Sequence, residues 1–398
     1  MSIKKVSLYG GLSVCILIIG FVIFSYFRSL PPIESTVIMK PSSLTNNQKI
    51  VWGQYGSQAI GLVGYGINNQ TGPETPSPVA STIKVLLTLS VLSKKPLALS
   101  QQGPNITISP TDVANYNADL ALGESVVKVQ AGEVISEYQA LQALLIASAN
   151  NFADILANWA FGSSAQYQAF ANEYAKNIGM DATTVTDNSG YMTTTVSNAN
   201  NLAILGQKAI TNPVIASIVD EYDATIPVAG KIQNYNLNVN PVLNTGINGI
   251  KTGNTTSGGG NYIYSSIFKG YPVVGSIVGA PNLTDALNEA PQVLSSYEES
   301  IKIDQVITKN QVVGYYNLPW AGKILVYSNN NIVVPVEPNT SYSTNIRLDK
   351  YQIGQNANVG LVTISSKNSV VRYPLSAQKT YSTPSLWWKV DYSLKRLF

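Results

Sequence analysis

The apolar and polar positions of this 398-residue chain change their period along its length. Residues 6–27 form an apolar run without charge. Between about residues 81 and 210 most apolar positions recur with the helical period of about 3.6, whereas after Gly249 most of them alternate, as in strands. The pattern predicts an α/β fold of the α+β type, followed by a smaller all-β unit that begins after Lys302.

Single helices and strands of the main unit follow from the same pattern. Helices are expected at 81–92, at 134–161 with a polar interruption at 148–151, at 165–178, at 197–210 with Ser197 as the N-cap, and at 283–301. Strands are expected in a hairpin at 51–69 and at 125–130, 250–252, 261–268 and 272–278.

Shifts in composition divide the chain into five segments. They are a cytoplasmic tip and transmembrane anchor at 1–28, a polar, Pro-containing linker at 29–47, a main domain at 48–301, a small β domain at 302–383 and an amphipathic tail at 384–398. The tail places basic residues beside Trp387 and Trp388. Such a segment either lies on a membrane surface or forms a short helix that packs on its own domain.

The N-terminal apolar run is long enough to cross a membrane, since about 20 apolar residues suffice. Lys4 and Lys5 precede it and Arg28 follows it, which slightly favours a cytoplasmic N-terminus. A cleaved signal peptide is the alternative, but its apolar region is usually about 7–15 residues long and ends at a small-x-small site. We therefore favour an uncleaved single-pass anchor in the cell membrane, with the main domain outside the cytoplasm.

Composition excludes several classes of function. Hydrophobic residues make up 45% of the chain and charged residues 12%, which is typical of a folded protein and not of a disordered one. A net charge of +3 without long basic runs argues against a nucleic acid partner. The chain has no histidine and its one cysteine, Cys15, lies in the apolar run, so we expect no disulfide, no metal site and no cofactor.

Ser81 and Lys84 form a Ser-x-x-Lys motif at the start of a predicted helix. Residues three apart share a helix face, so the lysine amine can reach the serine hydroxyl. A serine needs a base to become a nucleophile, and without histidine a lysine is the base that remains available. Four other serines have the same spacing to a lysine, but only Ser81 begins a helical pattern: Ser2, Ser125, Ser266 and Ser376.

Two further polar motifs follow in order. Ser148-Ala149-Asn150 interrupts an apolar helical region, and Lys251-Thr252-Gly253 lies at a strand edge. Each motif alone has an ordinary explanation, as a helix cap, a helix break or a solvated strand end. Together, the three motifs are the signature of penicillin-binding proteins and serine β-lactamases.

That signature assigns a role to each residue. Ser81 attacks a carbonyl carbon to form an acyl-enzyme, and Lys84 acts as its base, with a pKa that we expect burial and the Lys251 cation to lower. Ser148 relays the proton to the leaving amine, and the Asn150 amide bonds near Lys84 and to the substrate. Three substrate contacts are expected. They are a carboxylate bound by Lys251 and Thr252, close strand approach at Gly253, and an oxyanion hole made by the backbone N–H groups of Ser81 and Asn254.

Residues 48–301 resemble the low-molecular-mass penicillin-binding proteins, which are serine D-alanyl-D-alanine carboxypeptidases. The resemblance rests on three further stretches: Tyr174-Ala-Lys-Asn-Ile-Gly-Met, Thr186-Asp-Asn-Ser-Gly-Tyr-Met and Asn244-Thr-Gly-Ile-Asn-Gly-Ile-Lys-Thr-Gly. It implies a transpeptidase-like catalytic domain with an antiparallel sheet flanked by helices. It also implies removal of the terminal D-alanine from peptidoglycan stem peptides and acylation by β-lactam antibiotics. One departure is Ser-Thr-Ile-Lys at 81–84, where the family commonly has Ser-Leu-Thr-Lys.

Two other functions remain open from the sequence. A serine β-lactamase often has a deacylating glutamate between the second and third motifs, where this chain has only Glu173 and Glu221. Glu173 falls in a predicted helix and Glu221 has no matching loop pattern. The third possibility is a catalytically silent cell-wall-binding protein with the same fold.

Overall fold

The structure, a computed structural model, describes residues 3–236 and 246–397. The helices are α1 Ile3–Phe27, α2 Lys84–Lys94, α3 Pro110–Ala121, α4 Glu137–Leu145, α5 Asn150–Phe161, α6 Ser164–Asn177, α7 Ala199–Ile210, α8 Pro213–Asp220, α9 Leu283–Ser300 and α10 Leu386–Leu394, with a short 3₁₀ helix at Ala80–Ile83. The N-terminal and main-domain strands are β1 Glu34–Val37, β2 Ser43–Asn46, β3 Ser57–Leu62, β4 Asn69–Thr71, β5 Ser77–Pro78, β6 Asn105–Thr107, β7 Val134–Ser136, β8 Val196–Ser197, β9 Asp223–Ile226, β10 Gly230–Gln233, β11 Asn248–Thr255, β12 Gly259–Phe268 and β13 Tyr271–Ala280. The remaining strands are β14 Lys302–Ile307, β15 Val312–Leu318, β16 Gly322–Tyr327, β17 Ile332–Val336, β18 Thr340–Leu348, β19 Gly360–Ser365 and β20 Val370–Ala377.

The main unit is built on an antiparallel sheet with the strand order β11-β12-β13-β3-β4. Helices cover both faces, with α7 on one and α9 on the other. Alternate residues of β12 explain this, because Ile263 joins the core beneath α7 while Tyr262 and Tyr264 join the core beneath α9. The expected mixed fold, an antiparallel sheet flanked by helices and followed by a β region, is confirmed.

Helix α2 lies at the centre of the helical core. Every residue from Lys84 to Leu92 is buried, including the lysine. Helices α4, α5, α6 and α7 pack around it. A helix that is surrounded on all sides holds its first turn rigidly, so its N-terminal end is a fixed position for polar side chains.

The C-terminal sheet contains strands from both ends of the chain. Its order is β1-β15-β16-β20-β19-β18-β2, so residues expected to form only a linker at 29–47 supply both edge strands. The linker prediction is wrong on this point. All four side chains of β1 are exposed and β2 is only partly covered, so neither strand has the apolar alternation that identifies a strand in the sequence.

The predicted strand at 125–130 is also wrong, since this segment is extended but pairs with no neighbouring strand among the described residues. The Asn151 side chain takes the place of a partner strand. Its amide donates to the Val127 carbonyl at 2.9 Å and its oxygen accepts from the Val127 N–H at 3.1 Å. Two smaller corrections concern helix starts, because Asn198 rather than Ser197 caps α7 and 134–136 is a strand before α4.

Glu337 joins the main unit to the C-terminal sheet. Its buried carboxylate accepts hydrogen bonds from the hydroxyls of Tyr297 and Tyr342, from the Asn68 amide at 2.6 Å and from the Leu62 N–H at 3.2 Å. Burial raises the pKa of Glu337, while these donors oppose the shift. One carboxylate therefore satisfies polar groups of both units at their contact.

Helix α10 packs against the end of α1, and its Trp388 ring also contacts Trp320, between β15 and β16, with the ring centres 5.8 Å apart. The Lys389 ammonium donates to the Tyr26 carbonyl at 3.0 Å and lies 4.8 Å from the centre of the Tyr26 ring. Within the described residues, one helix has the length and composition to span a membrane, with its most apolar window at Gly10–Phe27 near the N-terminus. A signal sequence would meet the same criteria of length and composition.

We expect Glu337→Ala to lower the free energy of unfolding by about 3–5 kcal/mol, because four donors lose their common buried acceptor. Denaturant unfolding measures the change. The exposed Glu299→Ala on α9 is the matched control and should stay within about 0.5 kcal/mol of the parent. Equal effects of the two substitutions would contradict the role of Glu337.

Candidate active site

Ser81 lies in the 3₁₀ turn that leads into α2, and not in the first turn of the α-helix as predicted. Its hydroxyl does not cap the helix. Ala80 has a left-handed backbone, with φ of +51°, which turns the chain sharply before the serine. A β-carbon on Gly190 would lie 2.0 Å from the Ala80 carbonyl oxygen, so only glycine lets that loop pass over the turn.

The Lys84 amine is fully buried and contacts three acceptors. Its Nζ lies 2.7 Å from the Ser81 Oγ, 2.6 Å from the Asn150 Oδ1 and 3.0 Å from the Ser189 carbonyl oxygen. The predicted proximity of serine and lysine is therefore present in the structure. One helical turn brings them together, as their spacing implies.

Burial lowers the pKa of Lys84 to about 7. The carboxylates of Asp187, Glu124, Asp154 and Asp119 act in the opposite direction and raise it. The amine can therefore be neutral near physiological pH and accept a proton there. Desolvation, one of the two causes expected from the sequence, lowers the pKa of Lys84, whereas the other expected cause, the Lys251 cation, is not among the groups that shift it.

Asn150 begins α5 directly after the polar break. Its oxygen faces Lys84, and its amide nitrogen donates to the Glu124 carboxylate. An asparagine amide can be placed in two orientations, and a carboxylate on one side with an amine on the other selects this one. The Asn150 N–H also donates to the Ser125 carbonyl at 2.7 Å, which fixes the loop at Glu124 against the helix.

Ser148 lies in the break between α4 and α5 with a left-handed backbone, its φ being +59°. It is half-buried, and its hydroxyl makes no hydrogen bond to any residue in the described part of the chain. The direct contact between Ser148 and Lys84 that a proton relay requires is therefore not formed here. The hydroxyl is free to rotate toward a bound molecule.

The third motif lies on β11 beside Ser81. Lys251 is fully buried, and its Nζ donates to the Asn236 Oδ1 and to the Thr252 carbonyl, both at 3.0 Å. The same Asn236 oxygen accepts from the Thr252 N–H and hydroxyl, each at 2.8 Å. Burial lowers the pKa of Lys251 well below its usual value, and the charge of Lys84 lowers it further.

Gly253 and Asn254 continue this strand past Ser81. A β-carbon at Gly253 would lie 2.9 Å from the Val79 carbonyl oxygen and 3.0 Å from the Ser81 backbone nitrogen. Glycine therefore permits the strand to approach the backbone of Ser81 closely. Asn254 is exposed and faces the cleft.

A cleft of about 510 Å³ opens above these groups. Ser81 and Asn150 lie in it, and three segments line its walls: 123–125, 190–193 and 254–257. Tyr191 and Met192 are about half exposed at its mouth, with exposed fractions of 50% and 53%. Among residues 3–236 and 246–397, no group of three or more acidic, histidine or cysteine side chains is placed to hold a metal ion.

Sequence reasoning missed Glu124, Ser189 and Asn236 as site residues. Glu124 and Asn236 are single polar residues in loops without a motif, so the sequence offers no signal for them. Ser189 lies in the stretch Thr186–Met192 that supported the family resemblance, and its contribution is a backbone carbonyl. A backbone contact depends on the path of the chain and not on the identity of the side chain.

Neither glutamate that the sequence offered for a β-lactamase reaches the cleft. Glu221 accepts hydrogen bonds from the Tyr138 hydroxyl and the Gln142 amide, both at 2.5 Å, and Glu173 lies within α6. Neither lines the cleft around Ser81. The carboxylate that does line it is Glu124.

Comparisons with known proteins agree with this geometry. A family model described as D-alanyl-D-alanine carboxypeptidase matches residues 67–282. The D-alanyl-D-alanine carboxypeptidase DacB2 of Mycobacterium tuberculosis is 33% identical over 153 residues, which are 38% of this chain. The match spans 48% of that relative, about half of its length.

Two solved structures share the fold at low identity. Penicillin-binding protein 3 of Streptococcus pneumoniae, described as a peptidoglycan synthesis regulatory factor, is 16% identical with a TM-score of 0.69, covering 82% of this chain and 99% of that one. Penicillin-binding protein 5 of Haemophilus influenzae is 15% identical with a TM-score of 0.63, covering 85% of this chain and 100% of that one. The family model covers more than half of the sequence, and the protein therefore belongs to the D-alanyl-D-alanine carboxypeptidase family of serine penicillin-binding proteins.

Proposed function

We propose that the protein is a serine carboxypeptidase that removes the terminal D-alanine from peptidoglycan stem peptides through an acyl-enzyme on Ser81. The observation that supports this most directly is the 2.7 Å contact between the Lys84 Nζ and the Ser81 Oγ. A buried lysine with a pKa of about 7 is a competent base near neutral pH. The same site would be acylated by β-lactam antibiotics.

Acylation begins when neutral Lys84 accepts the proton of the Ser81 hydroxyl. The Ser81 oxygen attacks the carbonyl carbon of the penultimate residue, and the backbone N–H groups of Ser81 and Asn254 stabilise the oxyanion. Asn150 holds the lysine amine in place through its 2.6 Å contact. The Ser148 hydroxyl, which has no hydrogen-bond partner in the described part of the chain, passes a proton to the leaving amine once a substrate orders it.

Substrate selection depends on the third motif. The Thr252 hydroxyl, which donates to the Asn236 oxygen in the empty site, turns to donate to the terminal carboxylate of the substrate, with Lys251 beneath it as the balancing cation. Lys251 has a lowered pKa in the empty site, and a carboxylate beside it would favour its protonated form. Gly253 lets the substrate backbone lie against β11. Water then hydrolyses the acyl-enzyme and releases the shortened peptide.

We infer that α1 is an uncleaved anchor and that the catalytic domain lies outside the cytoplasm, at the cell membrane. The contact of Lys389 with the Tyr26 carbonyl supports this, because cleavage after α1 would remove one of the two surfaces on which α10 packs. Helix α10 exposes Trp387, 80% of which is accessible, beside the end of α1. We propose that it lies on the membrane surface where α1 leaves the bilayer.

Ser81→Ala should abolish labelling by fluorescent penicillin and lower D-alanine release from a pentapeptide by at least about 1,000-fold, because the nucleophile is gone. Ser266→Ala is the matched control, since Ser266 has the same spacing to a lysine but lies on β12. Labelling that persists in Ser81→Ala would refute the assignment. Rapid steady-state turnover of nitrocefin by the parent would favour a β-lactamase instead.

The rate of acylation by penicillin should rise with pH with a midpoint near 7, because Lys84 acts as a base only when it is neutral. Glu124→Gln removes a negative charge that raises the Lys84 pKa, so its midpoint should move to lower pH. Stopped-flow acylation over about pH 5.5–8.5 measures both profiles. A rate that does not change over this range would exclude Lys84 as the base.

Membrane attachment should depend on α1 and not on the tail. A variant that ends at residue 383 lacks α10 and should stay in the membrane fraction after alkaline carbonate extraction, because α1 alone can span the bilayer. A variant that starts at residue 29 should be released from membranes more readily. Release of the first variant, or a mature N-terminus after residue 27, would refute the anchor.

A further inference from the structure

Glu124 places a carboxylate in the cleft beside Ser81, and this carboxylate takes no direct part in acylation. Among the described residues that line the cleft, it is the one with a carboxyl group. The side chain is half-buried, so water in the cleft can reach it. A carboxylate that meets water beside a reacting ester has the chemistry of a general base.

A continuous chain of side-chain contacts joins this carboxylate to the nucleophile. Glu124 accepts a hydrogen bond from the Asn150 amide, whose oxygen lies 2.6 Å from the Lys84 Nζ. The Lys84 Nζ in turn lies 2.7 Å from the Ser81 Oγ. The charge of Glu124 also raises the pKa of Lys84, so the carboxylate is within electrostatic range of the reacting atoms.

The backbone at Glu124 is held on both sides. The Glu124 N–H donates to the Asp119 carbonyl at 3.0 Å, and the Ser125 carbonyl accepts from the Asn150 N–H at 2.7 Å. One carboxylate oxygen, Oε2, accepts from the Asn150 amide, while Oε1 makes no hydrogen bond to a described residue. A carboxylate that is fixed through one oxygen can hold a water molecule with the other.

The other carboxylates near Lys84 do not reach the same place. Asp187 accepts hydrogen bonds from groups of its own loop, and Asp154 accepts one from the Asn188 amide at 2.7 Å. Asp119 is close to Glu124, but none of these three carboxylates lines the cleft. Glu124 is therefore the carboxylate that an incoming water meets.

Lys84 is poorly placed to activate that water itself. Its amine is fully buried and already contacts three acceptors. Ser81 lines the cleft and Lys84 does not, so an acyl group on Ser81 separates the amine from water that enters through the cleft. Hydrolysis of the ester thus calls for a base on the cleft side.

We propose that Glu124 is the general base that activates water for hydrolysis of the acyl-enzyme, so that acylation and deacylation use different bases. This inference rests on the proposed function, which supplies the ester on Ser81. It adds a catalytic role to a residue that lies outside all three sequence motifs.

The step balances in atoms and protons. Glu124 accepts one proton of the water, the water oxygen bonds to the acyl carbon, and the bond from that carbon to the Ser81 Oγ breaks. The ammonium form of Lys84, which is present near neutral pH, gives the departing Oγ its proton. Glu124 then releases its proton to solvent and Lys84 takes one up. Ester and water thus give the shortened peptide acid and the free serine.

The test uses the full-length protein and a pentapeptide, with penicillin labelling as the check that each variant is folded. Above the midpoint of the acylation profile, Glu124→Gln should release a first D-alanine per enzyme within about threefold of the parent rate. Its later turnover at neutral pH should be about 100-fold slower, because water lacks its base. Mass spectrometry should then find the shortened peptide as an ester on Ser81.

Asp119→Asn is the matched control. It also removes a negative charge that raises the pKa of Lys84, but Asp119 does not line the cleft. Its turnover should therefore stay within about threefold of the parent. An equal loss in both variants would show that the charge near Lys84 matters and not a base at Glu124, and would overturn the inference.

Hydroxylamine separates a missing base from a misplaced ester, because it attacks esters without help from a base. It should raise D-alanine release by Glu124→Gln by at least about tenfold. Turnover of Glu124→Gln close to that of the parent, or a slow variant that hydroxylamine does not accelerate, overturns this inference while the proposed function stands. A parent that releases no D-alanine would overturn the proposed function instead.

Discussion

A fully buried lysine amine is the constraint on which the site depends. Lys84 cannot stay inside α2's packed surroundings unless its Nζ is matched by acceptors, and the chain supplies a hydroxyl, an amide oxygen and a backbone carbonyl. Each acceptor requires a local departure from regular structure. Ser81 needs the 3₁₀ turn, Asn150 needs the helix break, and Ser189 needs the tight loop at Gly190.

Desolvation and charge act against each other around this amine. Burial favours the neutral form of Lys84, and nearby carboxylates favour its charged form. Together they place the pKa of Lys84 at about 7. Burial also lowers the pKa of the second buried lysine, Lys251, and no carboxylate of the described residues opposes that shift. An incoming carboxylate would supply the missing negative charge and favour the protonated form of Lys251, so the substrate itself can prepare this lysine as its partner.

The sequence predicted what depends on local pattern. The three motifs, the helices around them and the strands of the main sheet were accessible because their residues alternate or recur with a clear period. Edge strands β1 and β2 could not be predicted from the sequence, since exposed residues have no such period. The roles of Glu124 and Asn236 could not be predicted either, because each residue enters the site only when loops distant in sequence fold together. Their hydrogen bonds join segments that are far apart in the chain, so no local sequence pattern marks these two residues.

The C-terminal sheet has a consequence for the order of folding. Its two edge strands come from residues 34–46, whereas the strands that they join come from residues 312–348. Ser42 and Thr344, whose hydroxyls lie 2.8 Å apart, are separated by 302 residues. The sheet's edges therefore stay open until nearly the whole polypeptide has been synthesised, and contacts of such long range form slowly. The N-terminal segment must wait for its partners while the main domain folds between them.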